Sequence, residues 1–232
     1  NAAAYTAVDR AEGEEALATI INGDAPAAMA GTCAALGIPL VHISTDYVFD
    51  GTGTVPWQPN DLTAPQCAYG RSKLAGEKAI RNSGVAHVIL RTSWVVSAHG
   101  GNFVKTMLRL SDTRDALNVV ADQIGGATPA RDIAAACSRI AAHLIQDPSK
   151  SGTYHFGGTP DVSWAEFATE VFGLASKSVT VTPILTADYP TPAERPLNSR
   201  LDCTTTEQVF GIQRPNWRLG LNSILRELEV KS

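Results

Sequence analysis

Two kinds of hydrophobic pattern alternate along the chain. Residues 38–43 and 85–90 are short, nearly unbroken apolar runs, the pattern of strands buried on both faces of a parallel sheet. Residues 14–36 are dominated by Ala and other helix formers, with Gly23 and Pro26 interrupting and Gly37 as a stop, so one helix with a broken or late start is expected. A second helix is expected over 64–82, joined to the first strand by residues 50–65, whose Gly, Pro, Thr and Asp content reads as a long surface loop. Farther on, the pattern predicts helices over 102–111 and 133–145, strands at 117–120 and 152–156, and a loop at 122–125. Ser163 followed by Glu166 marks a helix start of the capping-box kind, and the tail adds helices at 205–210 and 219–230. Gly125-Gly126 and Gly157-Gly158 read as loops, and there is no internal repeat or low-complexity tract. Strands alternating with helices make the expected class α/β.

Candidate chemistry begins with Tyr69 and Lys73, four residues apart in the second helix, so that both side chains leave one face. A cation beside a phenol favours the phenolate, which predicts a Tyr69 pKa lowered from its usual value of about 10 and makes Tyr69 a candidate proton donor. Tyr and Lys at this spacing are also common on plain solvated faces. Ser44-Thr45-Asp46 shifts the balance, because it follows the first strand, and ligands of open α/β sheets bind at carboxyl ends of strands. A turn cap is the alternative role for the Thr45 hydroxyl. Trp94, just past the second strand, suits either core or pocket, whereas His155, in an apolar strand without Cys, His or Asp close by, reads as packed. Residues 189–200 are Pro-rich and stiff; Arg195 and Arg200 there suit either a diphosphate, which the planar guanidinium binds with two hydrogen bonds, or a solvated loop. Ala2, Ala3 and Ala4 permit either close cofactor approach or tight strand packing.

Composition narrows the class. The 232 residues are 44% hydrophobic and 18% charged, enough for a sizeable core in one domain or a domain with a lobe. A net charge of −4 without a basic stripe argues against nucleic-acid binding. No apolar run approaches the roughly 20 residues that cross a bilayer, and no signal-peptide pattern is present, so no membrane partner is expected. Cys33, Cys67, Cys137 and Cys203 are widely spaced without a C-x-x-C pair, which indicates no metal site and no disulfide framework but reduced thiols in a cytoplasm. The chain opens without Met on Asn1-Ala-Ala-Ala4-Tyr5-Thr6, which reads as the end of an internal strand and its loop, so a preceding segment is expected.

Three separated motifs carry a resemblance: Ser44-Thr45-Asp46-Tyr47-Val48-Phe49-Asp50-Gly51, Tyr69-x-x-x-Lys73-Leu74-x-Gly76-Glu77, and Arg91-Thr92-Ser93-Trp94-Val95. In order and spacing they resemble the extended short-chain dehydrogenase/reductase superfamily and, within it, the dTDP-4-dehydrorhamnose reductase family. The resemblance implies a Rossmann-like doubly wound parallel sheet whose N-terminal part is missing, about 60 residues carrying the G-x-x-G-x-x-G phosphate turn, together with a smaller mixed α/β substrate-binding lobe. Residues 1–100 would be the remainder of the NAD(P)-binding domain and 101–232 mainly the nucleotide-sugar lobe, with some segments returning to the Rossmann core. It further implies reduction of the C4 ketone of dTDP-4-dehydro-L-rhamnose with NADPH or NADH. Thr45, Tyr69 and Lys73 would be catalytic; Ala4, Tyr5, Thr6, Tyr69 and Lys73 would bind cofactor; Thr45, Asp46, Trp94, Arg195, Asn198 and Ser199 would bind the dTDP-sugar. A homodimer is compatible with it. Nucleotide-sugar 4-epimerases, and non-catalytic relatives such as the regulatory β subunit of methionine adenosyltransferase, share the pattern and stay open as alternatives.

Overall fold

The computed structural model describes residues 1–228, so the last residues of the helix expected at 219–230 lie outside them. In chain order the elements are α1 (Val8–Ala11), α2 (Glu15–Thr19), a π-helical turn (Ile20–Asp24), α3 (Ala25–Leu36), β1 (Leu40–Thr45), α4 (Ala68–Asn82), β2 (His87–Thr92) and β3 (Val95–Val96). There follow α5 (Phe103–Ser111), β4 (Ala116–Val120), β5 (Ile124–Gly125), β6 (Thr128–Pro129), α6 (Ala130–Gln146), β7 (Gly152–His155) and β8 (Val162–Ser163). The chain ends through α7 (Trp164–Leu174), β9 (Thr180–Ile184), β10 (Asn198–Ser199), α8 (Thr204–Phe210) and α9 (Trp217–Glu227).

The expected break near Gly23 and Pro26 is the π turn. Pro26 has no N–H to return to Asn22, and the backbone widens there instead of ending. Gly37 then stops α3 in the left-handed region at φ 65°, with the Ile38 N–H closing on the Cys33 carbonyl at 3.0 Å. Because residues 38 and 39 serve that turn, β1 begins later than the apolar run and extends through Ser44 and Thr45.

β1, β2 and β7 form a parallel sheet in that order, with Ser44 beside Arg91 and Thr45 beside Thr92. Alternate residues serve opposite faces. Val88 and Leu90 pack with Ile133, Ile140 and Leu144 of α6, whereas Leu40 and Ile89 pack with Ala30 of α3 and Ile80 of α4. Helices thus cover both faces, as the doubly wound expectation required. Asn1 continues the sheet past β1, its carbonyl accepting the Ile43 N–H at 3.0 Å.

A second core gathers Val104 and Met107 of α5, Phe167 and Val171 of α7, and Trp217 and Leu221 of α9 against Val119 of β4. Ser163 caps α7 with both halves of the expected capping box in place. The loop expected at 122–125 contains β5, which pairs with β10 and β8, and β9, which the pattern did not foresee, pairs with β4. Both corrections have one cause: a two-residue strand, or an exposed one interrupted by Pro183, is defined by its partner and not by its own apolar period. His155 is fully buried, its Nδ1 3.0 Å from the Trp57 carbonyl.

Candidate active site

The loop at residues 50–65 is pinned, not free. Trp57 stacks on Phe49 with centroids 4.6 Å apart, and its indole N–H donates to the Asn198 carbonyl at 3.1 Å. The Arg91 guanidinium donates to the Pro59 carbonyl at 3.0 Å. The loop therefore forms one wall beside the carboxyl end of β1.

Thr45 ends β1 and is 5% exposed. Its hydroxyl accepts the Tyr47 N–H at 3.2 Å and donates to Asp46 Oδ1 at 3.0 Å, so the turn-cap role is real and coexists with a place in the site. Tyr69 stands at the start of α4, where Glu12 Oε1 accepts the Ala68 N–H at 2.7 Å and supplies the negative charge a helix N-terminus favours. Its half-buried ring meets Tyr47 edge-on at 5.5 Å. α4 can sit this close because Gly70 lies against the Tyr47 carbonyl and Gly76 against the Asn22 carbonyl; a Cβ at either would collide with backbone.

Lys73 is 2% exposed. Its ammonium donates to the Ile43 carbonyl at 2.7 Å and lies 3.3 Å from His42 Nε2. Burial lowers its pKa to about 8, against a smaller upward pull from Glu77. The expectation that Lys73 depresses the Tyr69 pKa is overturned. Withdrawal from water raises the phenol above its ordinary value, the nearby Thr45 hydroxyl acts the other way, and the charges that reach it are like-signed, led by Asp46. Spacing of four brought both residues to one face, but the ammonium turned toward β1 instead of the phenol.

Asp46 is 3% exposed, and burial raises its pKa to about 6, partly offset by the Ser199 and Thr45 hydroxyls. Ser199 lies beside Asp46 without completing a hydrogen bond. Asp46 Oδ2, Ser199 Oγ and Thr92 Oγ1 are buried with no hydrogen-bond partner among the described residues. Such groups normally find one. Trp94 adopts φ 49°, a left-handed conformation costly for a bulky residue, and its indole stacks on Trp164 at 3.6 Å. A Cβ at Gly125 would meet Ser199 Cβ at 2.9 Å and Trp94 Cε2 at 3.1 Å, so glycine there lets the indole and the serine converge.

Three expected residues are otherwise engaged. Arg195 pairs with Asp9 at 2.7 Å and donates to the Tyr47 hydroxyl at 3.2 Å. The Asn198 side-chain amide donates to the Thr52 and Val55 carbonyls at 3.2 and 2.8 Å, holding the wall loop. The Tyr5 hydroxyl meets Glu14 Oε2 at 2.5 Å. The backbone of Tyr5 is clamped by Asn22, which accepts its N–H at 2.8 Å and donates to its carbonyl at 3.0 Å and to Ser72 Oγ at 3.0 Å. That clamp ties the segment of Ala4, Tyr5 and Thr6 to α4, and Tyr5 packs with Tyr69 around Ala11, Ala18 and Ala68. Asn22 and Trp164 escaped the sequence reading. Nothing local marks Asn22, and for Trp164 the adjoining capping box located its helix without indicating that its ring would meet Trp94.

Comparison with known proteins gives the chain a family. The family model described as the RmlD substrate binding domain matches residues 1–230. A dTDP-4-dehydrorhamnose reductase of Sinorhizobium fredii is 50% identical over 93% of this chain and 75% of its own length. The chain belongs to the dTDP-4-dehydrorhamnose reductase family. Among solved structures, a family member from Clostridium acetobutylicum superposes with TM-score 0.91 at 38% identity, covering 98% of this chain and 79% of its own. A dTDP-4-dehydrorhamnose reductase from Bacillus anthracis, solved in complex with NADP, has TM-score 0.88 at 38% identity, covering 97% and 78%. The family's Rossmann-like α/β architecture is the one described above. Among the described residues no helix is long and apolar enough to cross a membrane.

Proposed function

We propose that this chain catalyses reduction of the C4 ketone of dTDP-4-dehydro-L-rhamnose at the expense of NADPH or NADH. The observation that carries the reading is the placing of the Thr45 hydroxyl, at the carboxyl end of β1, beside Tyr69 at the start of α4, with the Lys73 ammonium buried one helical turn away. The residues suit a dinucleotide: Lys73 keeps one N–H with no partner among the described residues, and Asn22 holds the Tyr5 loop against the helix that bears Tyr69. When bound, the reduced dinucleotide supplies the hydride.

The rest of the chemistry belongs to the chain. A phenol raised above its ordinary pKa keeps its proton at neutral pH and is a weak acid, so Tyr69 would give it up only as the oxygen before it gains negative charge. The Thr45 hydroxyl, beside that phenol, would turn its single proton from Asp46 Oδ1 to the same oxygen and so orient the carbonyl. Lys73 adds positive charge in a site shielded from water, where charge acts over longer range. Asp46 and Ser199 supply unspent polar atoms for sugar hydroxyls, with Trp94 as the apolar wall. Residues 1–100 act in this reading as the dinucleotide-binding part and 101–232 mainly as the sugar-nucleotide lobe, with α6, β7 and α8 returning to the core of the β1–β2–β7 sheet. The four thiols are unpaired and suit a reducing cytoplasm.

The test is to supply dTDP-4-dehydro-L-rhamnose with NADPH or NADH and follow both dinucleotide and sugar. Oxidation matched mole for mole by dTDP-L-rhamnose supports the reading. Sugar epimerisation without net oxidation, or no conversion at all, refutes it.

A further inference from the structure

Tyr69 is the second residue of α4, and helices fray first at their ends. A phenol carried there is only as fixed as the first turn. The local cap of that turn is weak. Cys67 stands at the N-cap position with φ −123° and ψ 161°, and what it offers the Gly70 N–H is a thiol sulfur at 3.5 Å. Sulfur is a poor acceptor, and Ser, Thr, Asp or Asn usually hold this place.

A stronger acceptor arrives from elsewhere in the chain. Glu12 Oε1 accepts the Ala68 N–H at 2.7 Å, across 56 residues. Among the described residues it is the one acceptor from beyond the helix and its cap that reaches the backbone of this turn. A carboxylate there gains twice, from a charge-assisted hydrogen bond and from the helix dipole.

An exposed glutamate on a loose backbone would position nothing, but the backbone around Glu12 is tied on both sides. Before it, Asp9 accepts from Arg195 at 2.7 Å and from the Ala193 N–H at 3.3 Å. After it, Glu14 accepts from the Tyr5 hydroxyl at 2.5 Å and from Arg10 at 2.9 Å. Ala11, next to Glu12, is fully buried in the cluster of Ala18 and Ala68 on which the Tyr5 and Tyr69 rings pack.

We propose that Glu12 is a positioning residue for Tyr69: by reaching the Ala68 N–H it keeps the first turn of α4 closed and the phenol beside the Thr45 hydroxyl. The purpose rests on the reductase reading; the contact does not. Glu15 supplies a matched control. It pairs with Arg71 through two hydrogen bonds at 2.7 and 2.8 Å, joining the same two segments across the same 56 residues, but it grips a side chain and leaves the backbone of the turn alone.

Amide hydrogen exchange and steady-state kinetics with dTDP-4-dehydro-L-rhamnose test the assignment. In Glu12→Ala the Ala68 amide should lose about tenfold in protection. Turnover should fall about tenfold with both KM values unchanged, because only the proton donor is displaced. Glu12→Gln keeps the reach and an acceptor oxygen, and should recover most of both losses. Glu12→Asp keeps the charge but is one methylene short, and should fall toward the alanine variant. Glu15→Ala should exchange and turn over as the parent does. If Glu12→Ala fails to fold, the Gln and Asp variants decide between them. Equal turnover losses in Glu12→Ala and Glu15→Ala, a Gln variant slower than the Asp one, or an unprotected Ala68 amide in the parent would overturn the proposal. A protected Ala68 amide in a parent without reductase turnover would instead sink the reductase reading, and the positioning role with it, while the cap remained.

Discussion

Two buried carboxylates beside the carboxyl end of β1 have opposite fates. Glu77 is fully buried and Asp46 nearly so, at 0% and 3% exposure. Burial opposes ionisation of both. At Glu77 the Arg91 guanidinium, the Ser44 hydroxyl and Arg81 outweigh it and hold the carboxyl below its usual range. At Asp46 only the Ser199 and Thr45 hydroxyls and two backbone N–H groups assist, and the pKa rises to about 6. The difference distinguishes a structural charge from a waiting one: Glu77 has no unused acceptor, whereas Asp46 Oδ2 has no partner among the described residues. Arg91 and Glu77 tie β2 to α4 and, through Ser44, to β1, which is how the strand bearing Thr45 and the helix bearing Tyr69 are kept in register.

The comparison breaks most easily at the saturated cluster. Glu77→Ala leaves Arg91 charged and 2% exposed without its partner, and should cost about 3–5 kcal/mol in urea unfolding. A loss under 1 kcal/mol would show that the pair is not the fastener described. Asp46→Asn should do the reverse. Its carboxyl is raised above the unfolded value of 3.8, so the charged form costs stability above pH 6, and that cost fades as pH falls from about 6 to below 4. The variant should therefore be more stable than the parent at pH 7.5, by at most about 3 kcal/mol, and equal to it near pH 4. Parallel melting curves at the two pH values test this; a variant less stable at pH 7.5 would make Asp46 a structural charge after all.

The next effect is purely chemical. Tyr69→Phe should lower turnover by about 10²-fold or more with little change in melting temperature, because Thr45, the hydroxyl it borders, is held independently by Asp46 and the Tyr47 N–H. Turnover within a few-fold of the parent would take Tyr69 out of the acid role. The smallest effect belongs to Trp164→Ala, which frees the face of Trp94 now stacked at 3.6 Å. The stack itself is worth about 1 kcal/mol beyond area, and its loss should raise KM for the sugar nucleotide several-fold while leaving the dinucleotide KM alone. Equal rises in both would place Trp164 outside the sugar pocket.

How much of this was legible varies residue by residue. The runs at 38–43 and 85–90 announced β1 and β2 because strands covered on both faces must be apolar throughout. The capping box at Ser163 and the stop at Gly37 were readable because caps are satisfied within a few residues. Spacing of four put Tyr69 and Lys73 on one face of α4. It did not say where either polar end would go, and the expected phenol–ammonium pairing failed on that point.

Local order of this kind depends on neighbours in the chain, and the sequence by itself determined it: the alternation of strand and helix, the strand-end hydroxyl of Thr45, and the helix that presents Tyr69. What only the tertiary structure decided depends on residues far apart in the chain. Arg91 and Arg81 filled Glu77 and so sent Lys73 to the Ile43 carbonyl; Asp9 claimed Arg195; Trp164 came under Trp94; and Ser199 arrived beside Asp46. The physical reason is competition. A hydrogen-bonding group buried in a core takes the best partner that packing brings within about 3 Å, and which partner that is depends on every other group seeking one.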